Sequence, residues 1–153
     1  MIEERRSGVD LTASGSHRFR CFTPADTSRI WNALTDGEQT RRYLHGLAAE
    51  SSWCVGAPIQ FRAPLPRDGH AALVGGVLCA QPGRRLSYFL QSGPDDPSTY
   101  LTWHLGACPG GSIVRLQVDR AECADSEEEA EHTWLPVLAS LQALLARDGT
   151  TQP

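Results

Sequence analysis

No stretch of this chain of 153 residues comes near the roughly 20 consecutive apolar residues that a membrane-crossing helix needs, so no membrane span is expected. Nor does an apolar run follow the charged opening Met1 to Arg6, which argues against a secretory signal and makes a cytoplasmic location the expectation. The five cysteines (Cys21, Cys54, Cys79, Cys108, Cys123) are odd in number and widely spaced, with no C-x-x-C pair. Neither a disulfide framework nor a zinc site is indicated. The five histidines contain no H-x-x-x-H pair, and no G-x-S-x-G, P-loop or G-x-G-x-x-G occurs, so no metal and no cofactor is expected. Basic residues never run longer than a pair and the formal net charge is -4, a balance that argues against a nucleic-acid binder.

What the chain does have is alternation. With 41% hydrophobic and 21% charged residues it is long enough to bury one core without staples. Residues 1–16 are polar, without period, and read as a loose tail; residues 17–147 form the single domain and 148–153 a second tail. The first strand is expected over His17–Phe22, with Phe19 and Cys21 facing inward and Arg18 and Arg20 outward. Thr23-Pro24 then opens a helix to about Leu34, Thr23 supplying the capping hydroxyl and Asp26 complementing the dipole. Asp36-Gly37 ends it and caps a second short helix through Tyr43.

Further strands are expected over Trp53–Phe61, Ala71–Ala80, Leu86–Gln91, Tyr100–Leu105 and Ser112–Asp119, with Arg62–His70 as a turn or mobile loop. Gly75-Gly76 lies inside one of them, where close packing or a bulge explains it. The remaining long stretch, Ser126–Arg147, carries Trp134, Leu138, Leu141 and Leu145 at three- and four-residue steps and reads as an amphipathic helix capped by Ser126. Pro136 inside it predicts a kink or a fresh start near Thr133.

Strand, two short helices, five strands and a long helix is the helix-grip order. The motifs Thr23-Pro24-Ala25, Ile30-Trp31-Asn32-Ala33-Leu34-Thr35-Asp36 and Thr40-Arg41-Arg42-Tyr43 strengthen it. So do Val55-Gly56, Gly76-Val77-Leu78, Arg85-Leu86, Gly111-Ser112 and Trp134 before Leu138. Together they resemble the SRPBCC (START-like) superfamily, in its Hsp-90 ATPase activator homologue-like branch. The resemblance implies an α+β fold in which a six-stranded, curved antiparallel sheet and two short helices grip the long helix over an apolar cavity. It departs at Tyr43, where the family often has Trp, and at Val118, where it often has His.

A container of that kind suits a small hydrophobic ligand. The wall expected for it comprises Ile59, Phe61, Tyr88, Leu90, Leu101, Trp103 and Leu105, then Val114, Leu116 and Val118, with Trp134, Leu138 and Leu141 from the helix. Trp103 and Trp134 are expected to sandwich a flat ligand, their indole N–H groups orienting it. Tyr88 and His45 are the candidates if the same cavity runs a cyclase- or dehydratase-type reaction, His45 by its place near the mouth. His104 is expected to be solvated on the outer face, and His132 to pair with neighbouring glutamates. The alternative partners are a second copy of the chain and, by the resemblance, a chaperone.

Overall fold

The alternating segments pair into one antiparallel sheet. The computed structural model describes residues 16–63, 72–93, 95–120 and 127–150. In chain order these give β1 (Ser16–Thr23), α1 (Thr27–Thr35), α2 (Gly37–Tyr43), β2 (Ala48–Glu50), β3 (Pro58–Arg62), β4 (Leu73–Gln81), β5 (Arg85–Gln91), β6 (Thr99–Cys108), β7 (Gly111–Arg120) and α3 (Glu127–Thr150). The sheet order is β1-β7-β6-β5-β4-β3-β2, so the chain's first strand closes one edge beside its last.

The sheet has seven strands where six were expected. The additional strand, β2, pairs Ala49 with Phe61 of β3. Its alanines carry no strand preference, and tertiary bonds hold it instead. The Thr40 hydroxyl, fully buried on α2, accepts from the Ala49 N–H at 2.9 Å and lies 3.1 Å from the Leu47 carbonyl, tying the strand to the helix. The expected strand from Trp53 starts only at Pro58, because Trp53 and Gly56 sit at positive φ, 61° and 87°, and turn the chain first.

The first helix also starts later than expected. Asp26, not Thr23, is its cap, its carboxylate accepting from the Arg29 N–H at 2.8 Å. That bond, helped by Ser28, lowers the Asp26 pKa. Thr23 instead accepts from Ala25 in the bend before the helix. Asp36 caps α2 through the Glu38 N–H, as the sequence suggests.

The helix α3 runs without interruption through Pro136, so no fresh start occurs there. A proline at that depth forfeits one backbone bond. The expected cap Ser126 and the Arg62–His70 loop from residue 64 on lie outside the described residues, as do residues 1–15 and 151–153. The α3 helix lies nearest β1 and α2, and the Gln142 side-chain amide donates to the Phe22 carbonyl at 2.7 Å.

Gly75 has a specific steric reason. A Cβ there would stand 1.7 Å from the Phe89 carbonyl oxygen of β5, so the β4–β5 pairing tolerates no side chain. The register then shifts between Val77 and Cys79, a bulge in the same strand. The core fills the space between the sheet's inner face and the helices. Ile30 and Ala33 enter from α1, Tyr43 from α2, and Val137, Leu138, Leu141, Leu144 and Leu145 from α3.

Candidate functional site

The centre of the inner face is an aromatic cluster. Tyr88 of β5 has Phe61 beside it at 6.1 Å between ring centroids, and Trp53, reaching in from the turn before β3, at 6.2 Å edge-on. Trp103 donates its indole N–H to the Tyr88 hydroxyl at 3.1 Å. Burial pushes the Tyr88 phenol up to about 12, and the Trp103 bond only partly opposes this. The Tyr43 phenol is likewise raised by burial and by its neighbour Tyr88, and it donates to the Ala33 carbonyl at 2.7 Å.

This centre is tightly filled. Trp103, Ile59, Val114 and Leu141 have 0% of their surface exposed. No water-sized sphere can touch such a side chain, either from outside or from a void within. Phe61, Tyr88, Leu101, Leu105, Leu116, Val118 and Leu138 are also buried, none beyond 8%. In this conformation a ligand would reach Trp103, Ile59, Val114 and Leu141 only by displacing side chains. Trp103 offers no free N–H for orientation, since Tyr88 already takes it.

Open space lies at the rim. A hollow of about 470 Å³ sits where α2 ends, where β4, β5, β6 and β7 have their nearest ends, and where α3 begins its apolar stripe. Its apolar lining is Leu73, Leu90, Pro97 and Trp134; its polar lining is His45, Gln91, Ser92, Asp96, Thr99, Arg120 and Thr133. Much of the polar lining is already engaged. The Ser92 hydroxyl donates to the Asp96 carboxylate at 2.6 Å, the Gln91 amide to the Asp96 carbonyl at 2.9 Å, and Thr133 back to Glu129 at 3.2 Å. These bonds tie Gln91 and Ser92 to Asp96, and Leu73, Leu90, Pro97 and Trp134 form the apolar contact surface beside His45, Thr99 and Arg120.

Of the residues expected to form the wall, Leu90 and Trp134 line this hollow, and so does His45, which stands exposed at φ 53°. Tyr88 does not line it, so the two acid–base candidates do not share it. The polar rim residues Gln91, Ser92, Asp96, Thr99 and Arg120 were not expected. Alternation identifies mid-strand positions, whereas these sit at strand ends and in a turn. For Gln91, Ser92, Asp96 and Thr99 the one signal is proximity in sequence to the Pro- and Asp-rich stretch at Ser92–Ser98; Arg120 carries none.

The outer face is different in kind. A groove of about 580 Å³ is lined by Arg18, Arg20, His104, Arg115 and Gln117, with Phe19 and Leu116. His104 is not simply solvated there: partial burial, then Arg85 and Arg115, hold its pKa below the ordinary 6.5. Elsewhere, burial pushes the Cys21 thiol on the inner face up to about 11. Among the described residues no three His, Cys, Asp or Glu side chains gather as a metal ion would require, and no helix is long and apolar enough to cross a membrane.

Known structures share this fold. Protein CV1439 from Chromobacterium violaceum is 21% identical with a TM-score of 0.68, the match covering 86% of this chain and 98% of that one. CalU16 from Micromonospora echinospora is 19% identical with a TM-score of 0.66, covering 89% and 79%. PFC0360w, an HSP90 activator from Plasmodium falciparum, is 13% identical with a TM-score of 0.66, covering 86% and 96%. No curated protein matches the sequence. The sequence profile of one family does match, over residues 24–146, which takes in the two short helices, β2 to β7 and most of the long helix. This helix-grip chain therefore belongs to the Activator of Hsp90 ATPase homolog 1-like protein family.

Proposed function

We propose that the chain binds a small, mainly apolar molecule in the rim hollow, against Leu73, Leu90 and Trp134. The observation that carries this reading is the hollow itself: about 470 Å³, within the range of small-molecule sites, with Leu73, Leu90, Pro97 and Trp134 as apolar lining and with Gln91 and Ser92 already bonded to Asp96. The buried wall of Ile59, Phe61, Tyr88, Leu101, Trp103, Leu105, Val114, Leu116, Val118, Leu138 and Leu141 lies behind that site, and a longer ligand would penetrate it by repacking. Binding of this kind draws on apolar burial more than on hydrogen bonds. Native mass spectrometry of the purified protein tests it. A discrete added mass that is lost in a Leu90→Arg variant supports the reading, and an unliganded spectrum after extraction from several expression hosts counts against it.

Membership of the family supports a second reading, docking on a chaperone of the Hsp90 class. Val74 and Leu78 of β4, 43% and 46% exposed, are two exposed apolar residues on one strand that such a contact would use. A pull-down that recovers the chaperone with the native protein but not with a Val74→Asp, Leu78→Asp variant is the corresponding test.

A further inference from the structure

The sequence contains no basic run longer than a pair, yet the sheet register assembles one. On the outer face Arg20 of β1 stands opposite Arg115 of β7, Arg115 opposite His104 of β6, and His104 opposite Arg85 of β5. Arg18 follows on β1, opposite Gln117. Neighbouring strands lie about 4.8 Å apart, so four cationic or titratable side chains form one line across the sheet. Like charges placed directly opposite each other destabilise a strand pair. Among the described residues no carboxylate relieves them: Arg18, Arg20, Arg85 and Arg115 make no ion pair there. Asp119 is the only carboxylate at the outward positions of these four strands, and the Gln117 amide donates to it at 3.0 Å. All three helices pack on the other face, which leaves this one uncovered by them.

We infer that this groove is a binding site for a small anion carrying two or more phosphate groups. Three features select that class. The groove's volume, about 580 Å³, suits a small molecule. Arginine's planar fork matches phosphate oxygens in pairs. A phosphate brings roughly -1.5 to -2 charges at pH 7, so two such groups neutralise the row, where single carboxylates would need three or four. The row is also one-sided, which explains how a chain of net charge -4 presents it without being basic overall.

The probe is inorganic tripolyphosphate, titrated calorimetrically into the intact protein at low salt. Saturable one-to-one binding that weakens steeply with added salt is expected, with a loss of at least tenfold in Arg20→Ser, Arg115→Ser. Arg41→Ser, Arg42→Ser on α2 removes the same charge elsewhere and should bind as the native protein does. Arg115→Glu is the safeguard against misfolding, because it places a carboxylate between Arg20 and His104 and should fold at least as well while failing to bind. Equal losses in the α2 and sheet variants, or no saturable binding, would overturn the site. Citrate binding as tightly as tripolyphosphate would overturn the assignment to phosphate, and tighter binding of a single-stranded oligonucleotide would overturn the assignment to a small molecule.

Discussion

The two faces of the sheet come from the same strands and the same alternation, and they obey different constraints. On β5, β6 and β7 the inward residues Leu86, Tyr88, Leu101, Trp103, Val114 and Leu116 are buried in one core with residues of the helices; the outward Arg85, Thr102, His104 and Arg115 alternate onto the opposite face. Inward positions answer to volume and to the hydrogen bond that each polar tip must find, as Trp103 finds Tyr88. Outward positions answer to charge and register. A substitution should therefore act through cavity formation on one face and through pair electrostatics on the other.

Breaking the inner face gives the largest effect. Trp103→Ala should lower unfolding stability by about 3–5 kcal/mol in urea denaturation, since it empties a fully buried site and strips Tyr88 of its donor. A loss below 1 kcal/mol would mean that the centre is loosely packed. Next comes thiol reactivity. With the Cys21 pKa moved from 9.0 to about 11, its thiolate fraction falls roughly 100-fold, so exposed Cys54 should be labelled far faster at pH 8. Comparable labelling rates would mean that burial does not raise the Cys21 thiol.

The outer face yields smaller numbers with the opposite sign. Arg115→Glu should raise stability by about 0.2–1 kcal/mol, because a like-charged cross-strand pair with Arg20 becomes an opposite-charged one. Gain of stability together with loss of tripolyphosphate binding is the signature of a site kept at the expense of the fold. The smallest effect is on pH. The folded-state pKa of His104 lies below its ordinary 6.5, so the unfolded chain takes up the proton first. Its contribution to stability is intact above pH 6.5 and is lost as pH falls through the folded value. An NMR titration should show the His104 pKa rising in Arg115→Ser, and no rise would remove Arg115 as a cause.

The same contrast explains what was legible in the sequence. Inward positions were readable because period-two alternation and burial coincide, so Leu101, Trp103, Leu105, Val114, Leu116 and Val118 all fell on the predicted face. The β2 strand was not readable, because Ala48 and Ala49 form a strand only through Phe61 and Thr40. Pro136 gave a break signal that the helix overrides. The arginine row was invisible for a different reason: Arg20 and Arg115 are 95 positions apart, and only strand pairing makes them neighbours. The rim hollow was half legible. His45, Leu90 and Trp134 came from position and pattern, whereas Gln91 and Arg120 belong to strand ends and Asp96 to the link between β5 and β6, none of which carries a period.

The apolar rim hollow is the claim on which the functional reading rests, and a neutral dye tests it without engaging the arginine face. Titrating Nile red into the native protein, Trp134→Ala and Leu135→Ala compares the indole that lines the hollow with its exposed neighbour on the same helix. Saturable binding that weakens at least tenfold in Trp134→Ala and is unchanged in Leu135→Ala is the predicted result. Equal binding by all three proteins, or none by the native one, would contradict it.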